Sequence, residues 1–185
     1  MQFHLIFDGN LPPRGKSATL ERIHDVRMVI HPQMEALWSL QPLKNNDWLR
    51  SRSESNLGVL EVRNGFEFAP LISTSVGLLA EINVTILRNR HSNDRQGIHG
   101  DIDNRVKTLF DALRIPTLGE INVLSEKGVI FHERTFCLLQ DDDLVTKLTV
   151  ETDRWLGVPP HQTLAIIRVA IKASTVTMDN LDLLS

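Results

Sequence analysis

The chain is poor in cysteine, in aromatic residues and in net positive charge, and these shortages exclude several classes of protein. Its 185 residues include one cysteine, Cys137, so neither an intrachain disulfide nor a cysteine-rich zinc site can form. The apolar neighbours of Cys137 favour an inert core thiol. No run of residues approaches the roughly 20 apolar positions of a membrane-spanning helix, and the first residues lack the pattern of a secretory signal. We therefore expect a cytoplasmic protein with no membrane partner.

The overall charge argues against a general nucleic-acid coat. The chain carries 20 basic and 23 acidic residues, a net charge of −3, whereas proteins that coat nucleic acid are usually basic. For contact with nucleic acid, the distribution of charge along the chain matters more than the net charge. Residues 88–107 hold five basic and three acidic side chains, a net charge of +2. If a metal ion neutralised the aspartates of this segment, it would become clearly electropositive.

The most informative stretch runs from Gly100 to Leu113. Four apolar residues at helical spacing predict a helix of about three turns, and these are Val106, Leu109, Phe110 and Leu113. Asp103 or Asn104 can cap its start. In an extended segment before the cap, Asp101 and Asp103 would point the same way. Lys107 and Asp111 follow Asp103 at intervals of one turn, so the three can share a face.

Two carboxylates held side by side repel each other, and a bound divalent cation removes the repulsion. A second acidic run, Asp141-Asp142-Asp143, follows an apolar segment and can supply a third ligand. Either run alone has a simpler interpretation, because an aspartate before a helix is often a cap and an aspartate triplet is most often a polar turn. Both runs together, with Lys107 one turn into the helix, favour a metal site.

These residues resemble the signature of the RusA-like Holliday junction resolvases. That signature is Asp-x-Asp-Asn, a lysine three residues later, an apolar helix face with a further aspartate, and a later Asp-Asp-x-x-Val. The matching residues are Asp101-Ile102-Asp103-Asn104, Lys107, Asp111 and Asp141-Asp142-Asp143-Leu144-Val145. The resemblance is strong over residues 101–148, weak over the first 40, and absent from about 41 to 74.

The resemblance implies a Mg²⁺-dependent endodeoxyribonuclease, with Mn²⁺ as a substitute, that resolves four-way DNA junctions by paired cuts as a homodimer. By this match Asp101, Asp103 and Asp142 correspond to the metal-binding catalytic carboxylates of the family, and Lys107 corresponds to its essential lysine. The connection between the two acidic runs is longer than the family normally has. We therefore expect inserted loops near residues 41–70 and 114–135.

Basic side chains around the motif are candidates for contact with the DNA backbone. Arg14 and Lys16 lie in a loop that follows Pro12-Pro13, and three arginines lie near the acidic motif, namely Arg90, Arg95 and Arg105. Trp48, beside Arg50 and Arg52, could stack on an unpaired base or be buried locally.

The remaining pattern predicts one α+β (mixed α/β) domain over residues 1–185, with a mixed sheet packed against two main helices in a RusA-like arrangement. The second helix is the motif helix, and the first begins at Ser17 or Thr19, with a break or kink at Pro32. Residues 114–135 are predicted to be irregular or a hairpin. Strands are predicted near residues 3–7, 59–68 (a hairpin at Asn64-Gly65), 82–87, 136–139, 145–150 and 164–173.

Two other functions fit the same residues. One is a branched-DNA-binding protein that lacks cleavage activity, which the extra loops favour. The other is a different carboxylate-metal phosphohydrolase, because acidic clusters alone do not name a substrate. A calcium-binding EF-hand fits badly, since the positions that should be Gly and Glu in a register from Asp101 are Val106 and Ala112.

Overall fold

The structure is a computed structural model that describes residues 1–15, 19–89, 100–157, 159 and 162–184, with only the backbone described at Gly100 and Asp101. These residues form a mixed α+β fold of one domain, with two mixed sheets and three α-helices.

Four strands form the larger sheet, in the order β1 (Gln2–Gly9), β7 (Thr163–Ala173), β4 (Leu78–Arg88) and β6 (Val145–Arg154). β7 pairs antiparallel with both β1 and β4, whereas β6 pairs parallel with β4. Buried residues alternate with more exposed ones along β4, as at Ile82, Asn83 and Val84. One face of this sheet therefore belongs to the core and the other faces outward.

The smaller sheet contains β2 (Glu61–Arg63), β3 (Phe66–Ile72) and β5 (Arg134–Leu139). β2 and β3 form the predicted hairpin, with positive φ at Asn64 (50°) and Gly65 (82°), as its tight turn requires. The prediction of a single sheet is wrong. β3 and β5 contain continuous buried runs instead of alternation. Such strands are covered on both faces, unlike those of the larger sheet.

The first helix, α1 (Leu20–Trp38), packs against both sheets and the other helices. Thr19 caps its start as predicted, with a hydroxyl that accepts a hydrogen bond from the Arg22 amide. The helix runs through Pro32 without ending, so the predicted break is absent. It buries Ile30 and Met34 in the main core.

Residues 114–135 contain a third helix, α3 (Leu118–Glu126), where an irregular segment or hairpin was predicted. Thr117 and Glu120 form a capping box at its start. Ile121 and Leu124 of α3 pack in a second, smaller apolar cluster, which also contains Phe68, Ile115, Phe131 and Cys137. The buried Cys137 thiol has its pKa raised to about 11 by burial, which makes it inert as expected.

The segment 41–70 contributes apolar side chains to the main core, including Leu43, Trp48 and Val59. Trp48 is buried at 3% exposure in the main apolar cluster, so it cannot stack on a nucleic-acid base without leaving the core. Whether the segments near 41–70 and 114–135 are insertions stays a prediction. Among the described helices, none has the length and apolar character needed to cross a membrane.

Candidate functional site

The motif helix, α2 (Gly100–Leu113), forms one wall of a cleft. It begins at Gly100, so the predicted extended segment before Asp103 is wrong, and Asp101 lies within the helix. The reason for placing Asp101 and Asp103 on one side therefore fails, because residues two apart in a helix do not face each other. The Asp101 side chain lies outside the described residues.

The described part of α2 has one apolar face and one charged face. Val106, Leu109 and Leu113 are buried in the main core, as their spacing predicted. Beside the apolar face Lys107 Nζ lies 2.7 Å from Asp103 Oδ2, an ion pair between residues four apart. Both side chains are more than half exposed, so this pair is accessible to a ligand.

The second acidic run lies where β5 ends and β6 begins. Asp142–Leu144 form a short 3₁₀ helix, and the Asp141 carboxylate caps it by accepting a hydrogen bond from the Asp142 amide at 2.7 Å. Leu144 is buried and anchors this turn in the core. The backbone around Asp142 is thus held by a cap on one side and by a core contact on the other.

A hydrogen bond between the Asp141 and Asp142 carboxyl groups sets their pKa values apart. This bond raises the pKa of Asp142, and partial burial and the Asp141 charge act in the same direction. The same bond lowers the pKa of Asp141. A cation close to Asp142 would favour its ionised form and so reverse the shift in its pKa.

The two acidic runs line one cleft of about 320 Å³ between α2 and the start of β6. Its polar residues are Arg14, Asp103, Lys107, Asp111 and Asp142, and its apolar residues are Val106, Phe110, Val145 and Leu148. The fold brings Asp103 and Asp142 to this cleft although 38 intervening residues separate them in the chain. Asp142 lies in the lining while its neighbour Asp143 does not.

Asp111 forms ion pairs with arginines, whereas Lys107, which was predicted to share its helix face, pairs with Asp103. Its carboxylate pairs with the guanidinium groups of Arg14 and Arg114, the latter at 3.0 Å. Its backbone carbonyl accepts a hydrogen bond from buried Arg27 at 2.6 Å. Because arginines occupy both carboxylate oxygens, Asp111 is a poor candidate for a metal ligand.

The carboxylates of the cleft fit a hard divalent cation. Mg²⁺ is usually held by one or two carboxylates together with water and substrate phosphate, and Asp103 and Asp142 can supply two. Lys107 now occupies Asp103 Oδ2, so a cation would compete with this ion pair. Among residues whose side chains are described, no three His, Cys, Asp or Glu form a metal-binding group. The Asp101 carboxylate lies outside that set.

The basic side chains predicted to contact DNA lie in different environments. Arg14 is half exposed on the cleft lining, where it pairs with Asp111. Arg105 is partly buried, and its guanidinium donates to the Leu11 carbonyl, an internal contact that fixes the N-terminal loop on α2. Its role as a DNA contact stays a prediction. Lys16, Arg90 and Arg95 lie outside the described residues.

Sequence reasoning missed the apolar wall of the cleft. Phe110, predicted on the apolar face of α2, lines the cleft beside Asp103 and Lys107 together with Val145 and Leu148. Phe110 and Val145 also pack against the main core. Leu148 is 45% exposed. Its position in an edge strand next to the acidic turn is the signal that could have identified it.

Comparison of the chain with protein-family models finds no matching family, and comparison with curated proteins finds no match.

Proposed function

We propose that the protein is a metal-dependent endodeoxyribonuclease that cuts branched DNA, with four-way junctions as its substrate. The observation that carries the proposal is the shared cleft, in which Asp103 and Asp142 lie beside Lys107. The resemblance of these same residues to the RusA-like signature supports the choice of reaction and substrate.

Four charged side chains of the cleft have roles in this proposal. Asp103 and Asp142, with Asp101 as the third expected ligand, would hold Mg²⁺, which supplies an activated water and neutralises charge on the scissile phosphate. Lys107, once released from Asp103, would donate to a phosphate oxygen and stabilise the charge that develops there. Arg14 lies on the same lining and would contact the DNA backbone. Paired cuts need two such sites, which a two-fold homodimer supplies.

The test is cleavage of a synthetic four-way junction in Mg²⁺ and in Mn²⁺, with linear duplex of the same sequence as a comparison. We expect metal-dependent nicking near the branch. Asp103→Asn and Asp142→Asn should each lower the rate by at least about 10³-fold, because each removes a ligand charge worth several kcal/mol in the transition state.

Asp143→Asn is the matched control, since Asp143 belongs to the same acidic run but does not line the cleft. It should retain the rate of the unchanged protein. Junctions left uncut in both metals, or full activity in Asp142→Asn, would contradict the proposal. Circular dichroism should show that every variant keeps its fold.

A branched-DNA-binding protein without cleavage activity is the second candidate. The Lys107–Asp103 ion pair favours it, because this pair already satisfies one of the expected metal ligands. Binding of the junction in a gel-shift assay, without cleavage in either metal, would select this candidate. Hydrolysis of free nucleotides without cleavage of junctions would instead indicate another carboxylate-metal phosphohydrolase.

A further inference from the structure

The segment from Leu11 to Arg14 leads from β1 toward α1 and contacts α2. Its two middle residues are Pro12 and Pro13. Proline fixes φ at about −65° and has no backbone N–H, so this segment is stiff and its middle cannot donate a backbone hydrogen bond. Contacts at its two ends therefore decide where it lies on α2.

Two neighbouring residues of α2 hold the two ends of this segment. At the first end, the Arg105 guanidinium donates to the Leu11 carbonyl, and the Leu11 side chain is buried in the main core. At the other end, the Arg14 amide donates to the Asn104 carbonyl at 3.0 Å. Because the prolines between these two bonds are stiff, fixing both ends also fixes the direction in which the Arg14 side chain leaves the backbone.

Asp111 directs the Arg14 side chain along the cleft lining. Its carboxylate accepts from one terminal nitrogen of the Arg14 guanidinium. Its own position is fixed by Arg114 at 3.0 Å and by Arg27, which donates to its carbonyl at 2.6 Å. Contacts with the described residues use only this one nitrogen of the Arg14 guanidinium, and the side chain is 51% exposed. The other N–H donors of the guanidinium are available to an anion.

We infer that Arg105 is a positioning residue, which holds the Leu11–Arg14 segment on α2 so that Arg14 binds a backbone phosphate of the DNA at the cleft. The identity of this ligand rests on the proposed function, whereas the contacts that place Arg14 do not. A planar guanidinium matches the geometry of a phosphate, and a side chain already held in place loses less freedom when it binds. Arg105 itself is partly buried and donates to the protein, so its effect on DNA binding passes through Arg14.

Binding of a fluorescent four-way junction to the full chain, measured in EDTA at several salt concentrations, tests this role without cleavage. Arg14→Gln should raise the dissociation constant about tenfold, because a charged hydrogen bond to phosphate is lost. It should also lower the slope of the logarithm of this constant against that of the salt concentration by about 0.9, the share of one phosphate contact. Arg105→Gln should raise the dissociation constant at least about threefold, because Arg14 is no longer held in place.

The double variant separates a positioning role from a direct contact. In Arg14→Gln/Arg105→Gln the dissociation constant should stay within about twofold of that of Arg14→Gln, because the side chain that Arg105 positions is gone. If Arg105 were a second phosphate contact, the two losses would multiply and the slope would fall by about 0.9 again. Multiplied losses therefore overturn the inference. So does junction binding that is as tight in Arg14→Gln as in the unchanged protein.

Hydrogen exchange of the Arg14 amide, followed by NMR without DNA, tests the placement of the segment by itself. In Arg105→Gln this amide should exchange at least about tenfold faster, because its bond to Asn104 forms in a segment that is now held at one end only. An unchanged exchange rate overturns the inference. If Arg105→Gln fails to fold, as thermal unfolding would show, Pro13→Gly replaces it in every measurement, since this change loosens the same segment and removes no charge.

Arg50→Gln is the matched control. Arg50 is 53% exposed and pairs with an aspartate, as Arg14 does, but it does not line the cleft. Its replacement should leave junction binding within about twofold and the exchange of the Arg14 amide unchanged. A chain that binds the junction but does not cut it in Mg²⁺ contradicts the proposed reaction alone. A chain that binds no junction contradicts the proposed function, and the exchange rate in Arg105→Gln then decides the role of Arg105.

Discussion

Lys107 and Asp103 form an ion pair that a metal ion would have to displace. Their nitrogen and oxygen lie 2.7 Å apart, and the two side chains are 54% and 67% exposed. An exposed pair of this kind contributes about 0.2–1 kcal/mol, so displacing it costs little. In the proposed function, the lysine would shield the carboxylate until a cation and a phosphate arrive together.

Replacing this lysine should separate metal binding from catalysis. In Lys107→Gln we expect Mn²⁺ to bind about two- to fivefold more tightly, since the competing ammonium group is gone. Cleavage of a junction should fall by at least about 10²-fold, because the proposed function makes Lys107 a donor to the phosphate. Electron paramagnetic resonance titration of Mn²⁺ and a cleavage assay measure the two effects. Lys44→Gln should change neither, and unchanged Mn²⁺ affinity in Lys107→Gln would show that the pair does not compete with metal.

Replacing Asp111 should lower the stability of the protein more than replacing Asp103, the exposed aspartate of the same helix. In Asp111→Asn the Arg14 and Arg114 guanidinium groups lose a shared carboxylate in a largely buried site. We expect a loss of about 2–3 kcal/mol in the free energy of unfolding, measured with urea. Asp103→Asn should change this free energy by no more than about 0.5 kcal/mol, because Asp103 is exposed. Equal effects would contradict the distinction.

At the scale of elements, α3 is held by its cap and by an ion pair to α2. The Thr117 hydroxyl accepts from the Glu120 amide, and the Glu120 carboxylate accepts from the Thr117 amide at 2.7 Å. Glu120 also pairs with Arg114 at 2.8 Å. One glutamate thus starts the helix and ties it to the end of α2.

Loss of the cap should destabilise the protein measurably. Thr117→Ala removes the side-chain acceptor at the start of α3, and we expect a cost of about 1 kcal/mol in urea unfolding. Ser125→Ala, at an exposed position near the other end of the same helix, is the control and should cost less than about 0.5 kcal/mol. A cost no larger than that of the control would indicate that the cap is not formed.

The elements that sequence predicted well are those with a strong local signal. The hairpin turn at Asn64-Gly65 and the apolar stripe of α2 depend on neighbours within a few residues, so their structure follows from their own residues. The helix α3 was not predicted, because the two glycines of this segment, Gly119 and Gly128, are residues that favour turns and irregular structure. Gly128 in fact follows the helix with φ 74°, and the Thr117–Glu120 spacing is a capping signal that was overlooked.

The cleft depends on distant contacts and was harder to predict. That Asp103 and Asp142 approach each other was a hypothesis about tertiary structure, which the pattern of either run alone could not test. The partners of Asp111 show which contacts a local sequence pattern can reveal and which it cannot. Arg114 is three residues away and could have been considered, but Arg14 reaches it from 97 residues earlier through a loop that local sequence does not position.

At the scale of the whole molecule, buried histidines link stability to pH. His24 is 4% exposed and lies against Phe131, with ring centroids 4.7 Å apart. Burial and the nearby Arg27 charge lower its pKa to about 4. Burial also lowers the pKa of His31, whose Nδ1 accepts a hydrogen bond from the Phe136 amide. Both histidines therefore favour the neutral form in the folded state.

The unfolded chain should bind protons at His24 below pH 6.5, whereas the folded chain does so only near pH 4. The stability is therefore fully present above pH 6.5 and falls as pH is lowered from 6.5 to 4, by about 2–3 kcal/mol from this group. Urea unfolding between pH 7.5 and 4.5 measures the fall. His24→Gln should reduce the slope, and exposed His4→Gln should preserve it. An unchanged slope in His24→Gln would contradict this assignment.

The position of β7 has a consequence for the order of folding. The last strand of the chain lies between β1 and β4, so neither of those earlier strands has its central partner until residue 163 and beyond have been synthesised. Among the described strands, β6, which carries the far wall of the cleft, pairs with β4 alone, and this pairing must close a loop of more than fifty residues. A nascent chain would therefore gain its cleft only after β6 has been synthesised and has paired with β4.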